Sequence, residues 1–148
     1  MTNLLDFDVF HNAFMTAALW SSTDNNGDPL DSNYDSSDID DESATNLEAV
    51  ARYFWFRYSC YLEGIAKANG RYAGSHGYTL DALAGHDLWL TMCGHGAGFW
   101  DRDFYEMESD VFISDEPLMI DYKDMFTKGA EAIGNIDLYV GNDGKVHA

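Results

Sequence analysis

The sequence predicts an α+β fold: N-terminal helices packed on a small antiparallel sheet of hairpins. Three observations lead there. Apolar residues recur at helical spacing through most of the first half of the chain. From Leu88 the pattern changes to alternation ahead of a glycine-rich turn, and near the C-terminus Gly141-Asn142-Asp143-Gly144 separates two short β-prone runs. Helices first, then hairpins interrupted by one further helix, is the order of an α+β domain.

Asp6 is placed to cap the first helix, whose apolar residues Phe10, Ala13, Phe14, Ala17 and Ala18 fall on one face before Trp20 and a stop at Ser21. Residues 22–42 are mostly Asp, Ser, Asn and Gly, with a turn at Gly27-Asp28-Pro29, and read as an acidic loop pinned by Leu30, Tyr34 and Ile39. Thr45 and Glu48 have capping-box spacing, and a stripe from Leu47 and Val50 through Phe54, Tyr58, Leu62 and Ile65 runs to Asn69-Gly70. A Gly- and Tyr-rich loop follows to Gly77, then a short helical turn from Thr79 to Leu83, ended by Gly85. Leu88, Leu90 and Met92 alternate with Trp89, Thr91 and Cys93, and Gly94-His95-Gly96-Ala97-Gly98 turns the chain into Phe99-Trp100, which predicts a β-hairpin. Asp121 is placed to cap a helix carrying Met125, Phe126, Ala130 and Ile133, with Gly134 as its stop, and Leu138–Val140 with Lys145–His147 predict a terminal hairpin. No internal repeat is visible.

With 148 residues, 46% of them hydrophobic and 15% aromatic, the chain is long enough for one domain and has large apolar side chains to bury. No run approaches the roughly 18 apolar residues of a membrane span, and no leader pattern is visible, so a cytoplasmic setting is expected. Cys60 and Cys93 form no CxxC pair and are expected as buried free thiols.

Charge is the dominant feature. The formal net charge is −18, and no Lys or Arg precedes Arg52. Asp24, Asp28, Asp31, Asp35, Asp38, Asp40, Asp41 and Glu42 form one anionic arm, and Asp101, Asp103, Glu106, Glu108 and Asp110 a second, opposed only by Arg102. Net charge speaks to partners rather than to fold, and this one selects a cationic partner.

Four segments carry a resemblance: Ala17–Asp24, Gly27–Tyr34, Ala84–Asp87 continuing through Gly94–Arg102, and Asp137–Gly144. Together they resemble a family of small acidic proteins from bacteriophage genomes and mobile elements, marked by an AGHDxWLTxxGHGAGFWDR motif. The likeness covers most of the chain and implies a phage setting in a bacterial host's cytoplasm rather than a mechanism. The sequence departs from the family pattern where Leu88 stands for a Phe and Met92-Cys93 for an Arg-Asn pair, and residues 103–117 read as an acidic insertion.

The central motif gathers His86, Asp87, His95 and Asp101, residue types able to bind a metal or share acid–base work. Their spacing matches no HExxH, zinc-ribbon or triad signature, and no Ser or Cys sits in a nucleophile context. The glycines lack the Lys and Ser/Thr of a P-loop. Asp24, Asn26 and Asp28 alternate as calcium ligands do, but no twelve-residue EF-hand loop can be drawn around them. No catalytic residue, metal or cofactor is assigned. Direct nucleic-acid binding is disfavoured because phosphate affinity needs clustered Lys and Arg.

The sequence therefore predicts a non-enzymatic protein that imitates the charge of DNA. Its partner would be a basic host DNA-binding protein of the restriction, CRISPR or repair class, inhibited through the thirteen acidic residues of the two arms. The alternatives are a small hydrolase or metal enzyme built on His86, Asp87, His95 and Asp101, and a non-enzymatic phage accessory protein.

Overall fold

A computed structural model describes residues 3–72 and 77–148. Helix α1 spans Phe7–Ser21, α2 Asp41–Asn69, α3 Leu80–Met92 and α4 Lys123–Ile133. Between α3 and α4 an antiparallel hairpin joins β1 (Glu106–Ile113) to β2 (Glu116–Asp121), and after α4 a short one joins β3 (Tyr139–Val140) to β4 (Val146–His147). The α+β class is as the sequence predicts. The predicted loop between Gly70 and Gly77 lies largely outside the described residues.

The N-terminal helix starts as expected, with the Asp6 carboxylate accepting the Asp8 N–H at 2.7 Å. Phe10, Phe14, Ala17 and Ala18 are fully buried on its inner face. The acidic segment is not bare loop: two single-turn 3₁₀ helices, Leu30–Ser32 and Ser36–Asp38, are folded into it, and Leu30 and Ile39 are its buried pins. Helix α2 begins earlier than the predicted Thr45 cap. Asp40 is its N-cap, accepting the Ser43 N–H at 3.1 Å, while Thr45 lies one turn inside and its hydroxyl donates to the Asp41 carbonyl at 2.9 Å. Asp41 and Glu42 then occupy the first turn, where the positive end of the helix dipole favours carboxylates.

The predicted β-hairpin over 88–100 is replaced by helix α3, followed by a turn and a 3₁₀ helix at Phe99–Asp101. Alternation was the wrong period because α3 is covered on nearly every side: Leu80, Ala84, Leu88, Trp89, Leu90 and Met92 are all buried. A helix that is apolar all round gives no amphipathic signal and cannot be told from a buried strand by periodicity. Gly85 is not a stop either. It lies at the crossing of α1 and α3, where a Cβ would stand 2.1 Å from the Phe10 carbonyl oxygen. The turn prediction survives in part, since Gly98 has φ +153 and its missing side chain leaves room for the Thr91 hydroxyl, which accepts the Phe99 N–H at 3.1 Å.

Aromatic rings knit the helices together. Phe54 of α2 stacks on Phe10 of α1 at 6.0 Å and on Phe99 at 5.4 Å, and Phe99 meets Tyr105 at 5.1 Å and Phe126 of α4 at 5.3 Å. Trp89 closes the other end of the core, its indole N–H donating to the Ser21 hydroxyl at 2.7 Å. The C-terminal hairpin is tied to the start of α2: the Asp40 N–H donates to the Val146 carbonyl at 2.9 Å, and Ile39 pairs with Val146. At the far end of α2 the Asn69 amide donates to the Glu106 carbonyl at 2.6 Å and anchors β1. Cys60 is exposed and Cys93 half-buried, so only one thiol approaches the expected burial; α2 turns Cys60 away from the core.

Candidate functional site

The central motif folds into a buried charge cluster. Asp87, on the inner side of α3, is fully buried and accepts from Arg102 Nη2 at 3.0 Å and Nε at 3.2 Å, and from the Tyr105 hydroxyl at 2.7 Å. Burial pushes the Asp87 carboxyl above its ordinary range, with Arg102 and the Tyr105 hydroxyl opposing that shift. Burial also drives the Tyr105 phenol well upward, reinforced by the neighbouring carboxylate. The hydrogen bonds that Arg102 donates to Asp87 hold its guanidinium above the usual value. Every oxygen of Asp87 is thus committed to a neighbour, which suits a structural ion pair rather than a base awaiting substrate.

Of the other residues of the enzymatic alternative, Asp101 joins this cluster through the shared Arg102, whereas His86 and His95 do not. His86 lies half-buried about 100° round α3 from Asp87, lining a depression of about 340 Å³ with Ala13, Thr16 and Leu83. Burial lowers its pKa, partly opposed by Asp87. Exposed His95 lines a different depression with Thr23 and Asp137, and Asp101 accepts the Gly98 N–H at 3.2 Å while pairing with Arg102 at 3.7 Å. Among the described residues no three His, Cys, Asp or Glu side chains gather where they could hold a metal.

The acidic arms sit at opposite ends of α2. The first precedes its N-terminus, and the second lies around the hairpin anchored at Asn69. At 1.5 Å rise per residue, the 29-residue α2 between Asp41–Glu42 and the Glu106 contact is about 42 Å long, while Asp101 of the second arm lies beside Phe99 against the middle of that helix. Within the first arm, several carboxylates serve the backbone. Asp24 accepts the N–H groups of Asn26 and Asp28 at 2.8 and 3.0 Å, Asp38 that of Asp35 at 2.8 Å, and Asp35 that of Ser37 at 2.8 Å. Hydrogen bonds from Ser37 and Ser43 hold the Asp35 and Asp40 carboxyls below their usual range. Asp28, Asp31, Asp35, Asp41 and Glu42 are exposed, and none forms an ion pair with Lys or Arg among the described residues.

In the second arm, Asp103 pairs with Lys123 at 3.8 Å, whereas Glu108 and Asp110 are exposed and Glu106 half-buried along β1. Residues 103–117, read from the sequence as an insertion, include the larger part of the β1–β2 hairpin. Its end carries Val111, Phe112, Ile113, Leu118 and Met119, all exposed, beside these carboxylates.

Two features escape a reading of the sequence. Asp81 is a second fully buried carboxylate, accepting the Asp6 N–H at 2.9 Å and facing Arg71 at 3.4 Å; only its position one residue after Leu80 on a buried helix hints at this. The outward face of α2 exposes Tyr53 and Phe56, a signal present in the sequence because Phe56 falls off the stripe that holds Phe54 and Tyr58.

Compared with protein-family models, with curated proteins and with solved structures, the chain matches none. Among the described residues no helix is long and apolar enough to cross a membrane.

Proposed function

We propose that this chain is a phage-encoded acidic protein that binds and inhibits a basic host DNA-binding or defence protein, presenting carboxylates where that protein expects phosphates. The observation that carries the reading is the set of exposed carboxylates Asp28, Asp31, Asp35, Asp41 and Glu42, without Lys or Arg partners among the described residues, in a chain of net charge −18. Duplex DNA carries one charge per about 1.7 Å of axis, so eighteen charges equal those of roughly nine base pairs. Helix α2, about 42 Å long, matches the length of roughly twelve base pairs at about 3.4 Å each, a little more than one turn of duplex.

Capture of partners on immobilised protein from a bacterial lysate, eluted with rising salt, tests the reading. The expected partner is basic, leaves as the Debye length falls from about 10 Å at 0.1 M to about 3 Å at 1 M, and is displaced by duplex DNA. A captured partner indifferent to both salt and DNA would sink the proposal.

A further inference from the structure

We infer that the C-terminal hairpin is a proton-sensitive latch on the acidic segment: while its ring is protonated, His147 ties Asp40 at the start of α2 to Asp143 in the hairpin turn, and it lets the Asp40 carboxylate go when the proton leaves. The ring stands between two carboxylates. Its Nε2 meets both Asp143 oxygens, at 3.0 and 3.1 Å, and its Nδ1 faces Asp40 Oδ1 at 3.5 Å. A carboxylate only accepts and a neutral imidazole has one N–H to donate, so both sides are satisfied only by the imidazolium, in which both nitrogens donate. At 3.5 Å the Asp40 contact is an ion pair rather than a hydrogen bond, and it is the one that goes with the charge.

The ring has a built seat. Tyr139 stacks on it with centroids 5.4 Å apart, and Gly141 makes room for it: a Cβ there would stand 2.7 Å from ring atoms Cδ2 and Nε2 and 2.9 Å from an Asp143 oxygen. Gly141 is not at positive φ, so space rather than backbone conformation calls for glycine. The fastenings around the latch do not titrate. The Asp40 N–H donates to the Val146 carbonyl at 2.9 Å, the Ala148 N–H to the Ser43 hydroxyl at 3.0 Å, and Val146 is fully buried, so loss of the proton loosens the rim of the contact and leaves the hairpin docked. Asp40 bears on the ring from α2, and Asp143, Lys145 and Tyr139 from the hairpin. The hydrogen bond to Asp143 raises the ring's pKa most, the charges of Asp143 and Asp40 add to this, and desolvation and Lys145 oppose it. A raised folded pKa means a latch closed below the ordinary 6.5 and opened as pH rises through the folded value. Opening leaves Asp40 and Asp143 without their cation, so the first acidic arm is more anionic above the transition than below it. That a basic partner senses this change rests on the function proposed above; the latch itself belongs to the free chain.

NMR titration of the free chain, with no partner present, tests the inference apart from the proposed function. His147 should titrate above 6.5, and Asp143→Asn and Asp40→Asn should each lower its pKa, the first by more. Asp40→Asn keeps the cap of α2, because an Asn side chain accepts the Ser43 N–H about as well as Asp does. Gly141→Ala leaves both carboxylates in place and presses on the ring, so it too should lower the His147 pKa. Hydrogen exchange reads the contact itself. Corrected for intrinsic exchange, protection of the Asp40 amide should fall about two- to fivefold from about pH 5 to about pH 8.5, the scale of a partly exposed ion pair, and should not change over that range in His147→Gln. A His147 pKa at or below 6.5, a pKa unmoved by Asp40→Asn, or the same loss of Asp40 protection in His147→Gln would each overturn the latch.

Discussion

The same side chain does opposite work in two regions of this molecule. In α3, Asp87 is sealed from water, so burial raises its pKa and only the Arg102 guanidinium and Tyr105 hydroxyl make its charge tolerable. In the acidic segment before α2, Asp35 and Asp40 sit at the surface, and hydrogen bonds from Ser37 and Ser43 lower their pKa values. One carboxylate needs the protein to keep its charge, and the others lend theirs to the backbone. A net charge of −18 is therefore not one uniform anionic coat. It divides into buried partnered groups, caps and turn acceptors, and the exposed remainder available to a partner.

The comparison breaks first at Arg102. Arg102→Ala would leave Asp87 buried beside Tyr105 without its cation, and the loss of an ion-pair partner from a buried site costs about 3–5 kcal/mol. Chemical denaturation of the variant should show a loss of that order. A midpoint within about 1 kcal/mol of the parent would mean that water reaches Asp87 and that the two regions do not differ. Tyr105→Phe removes one hydrogen bond from the same carboxylate and keeps the ring against Phe99, so about 1–3 kcal/mol is expected. It should also push the Asp87 pKa further up, read by carboxylate titration in the NMR spectrum.

Acid titration sharpens the contrast because the two shifts have opposite signs. Asp87 has a raised folded pKa, so its contribution favours the fold below the ordinary value of 3.8 and is lost as pH rises through the folded value. Asp35, Asp40 and Asp143 have lowered pKa values, so their contributions are present above 3.8 and are lost as pH falls through the folded values. His147, raised by its hydrogen bond to Asp143 and by nearby Asp40, stabilises below 6.5, and that gain is lost as pH rises through its folded value. Stability measured from pH 3 to 8 should therefore fall less with rising pH above 3.8 in Asp87→Asn than in the parent. Asp35→Asn should instead flatten the acid limb. If both variants changed the profile in the same direction, the opposed signs would be wrong.

What was legible in the sequence follows the same division. Helices α1 and α2 and the terminal hairpin were visible because each has one wet side, which leaves polar residues at the period of the element. Helix α3 was not, because Trp89, Leu90, Thr91 and Met92 are all buried, and consecutive burial erases the period. Gly85 then misled: its reason is the approach of the Phe10 carbonyl from another helix, a long-range fact with no local trace. The acidic arms could be listed from composition, but their placement at the two ends of α2 depended on the Asn69 bond to Glu106 and the Asp40 cap. His86, Asp87 and His95 are close in sequence, yet α3 turns the first two to different sides and leaves the third in the turn beyond it.

The smallest expected effect is the one that isolates charge from capping. Asp35, Asp38 and Asp40 hold backbone N–H groups through carboxylate oxygens, and an Asn side-chain carbonyl can accept the same bonds, since Asn and Asp are nearly equal as N-caps. Asp35→Asn, Asp38→Asn, Asp40→Asn and Asp41→Asn combined therefore keep the geometry while removing four charges. The loss of carboxylates at the start of α2 weakens their interaction with the helix dipole, and relief of repulsion among neighbouring acids works the other way, so the variant should melt close to the parent. The corresponding Ala combination removes the acceptors as well and should melt measurably lower than the Asn combination. Binding should separate the two properties in reverse. Against a basic partner the Asn combination should slow association more than it speeds dissociation, because long-range steering goes with the charge. Should the Asn combination melt as low as Arg102→Ala, the exposed carboxylates would be holding the fold by their charge, and the distinction between the two regions would collapse.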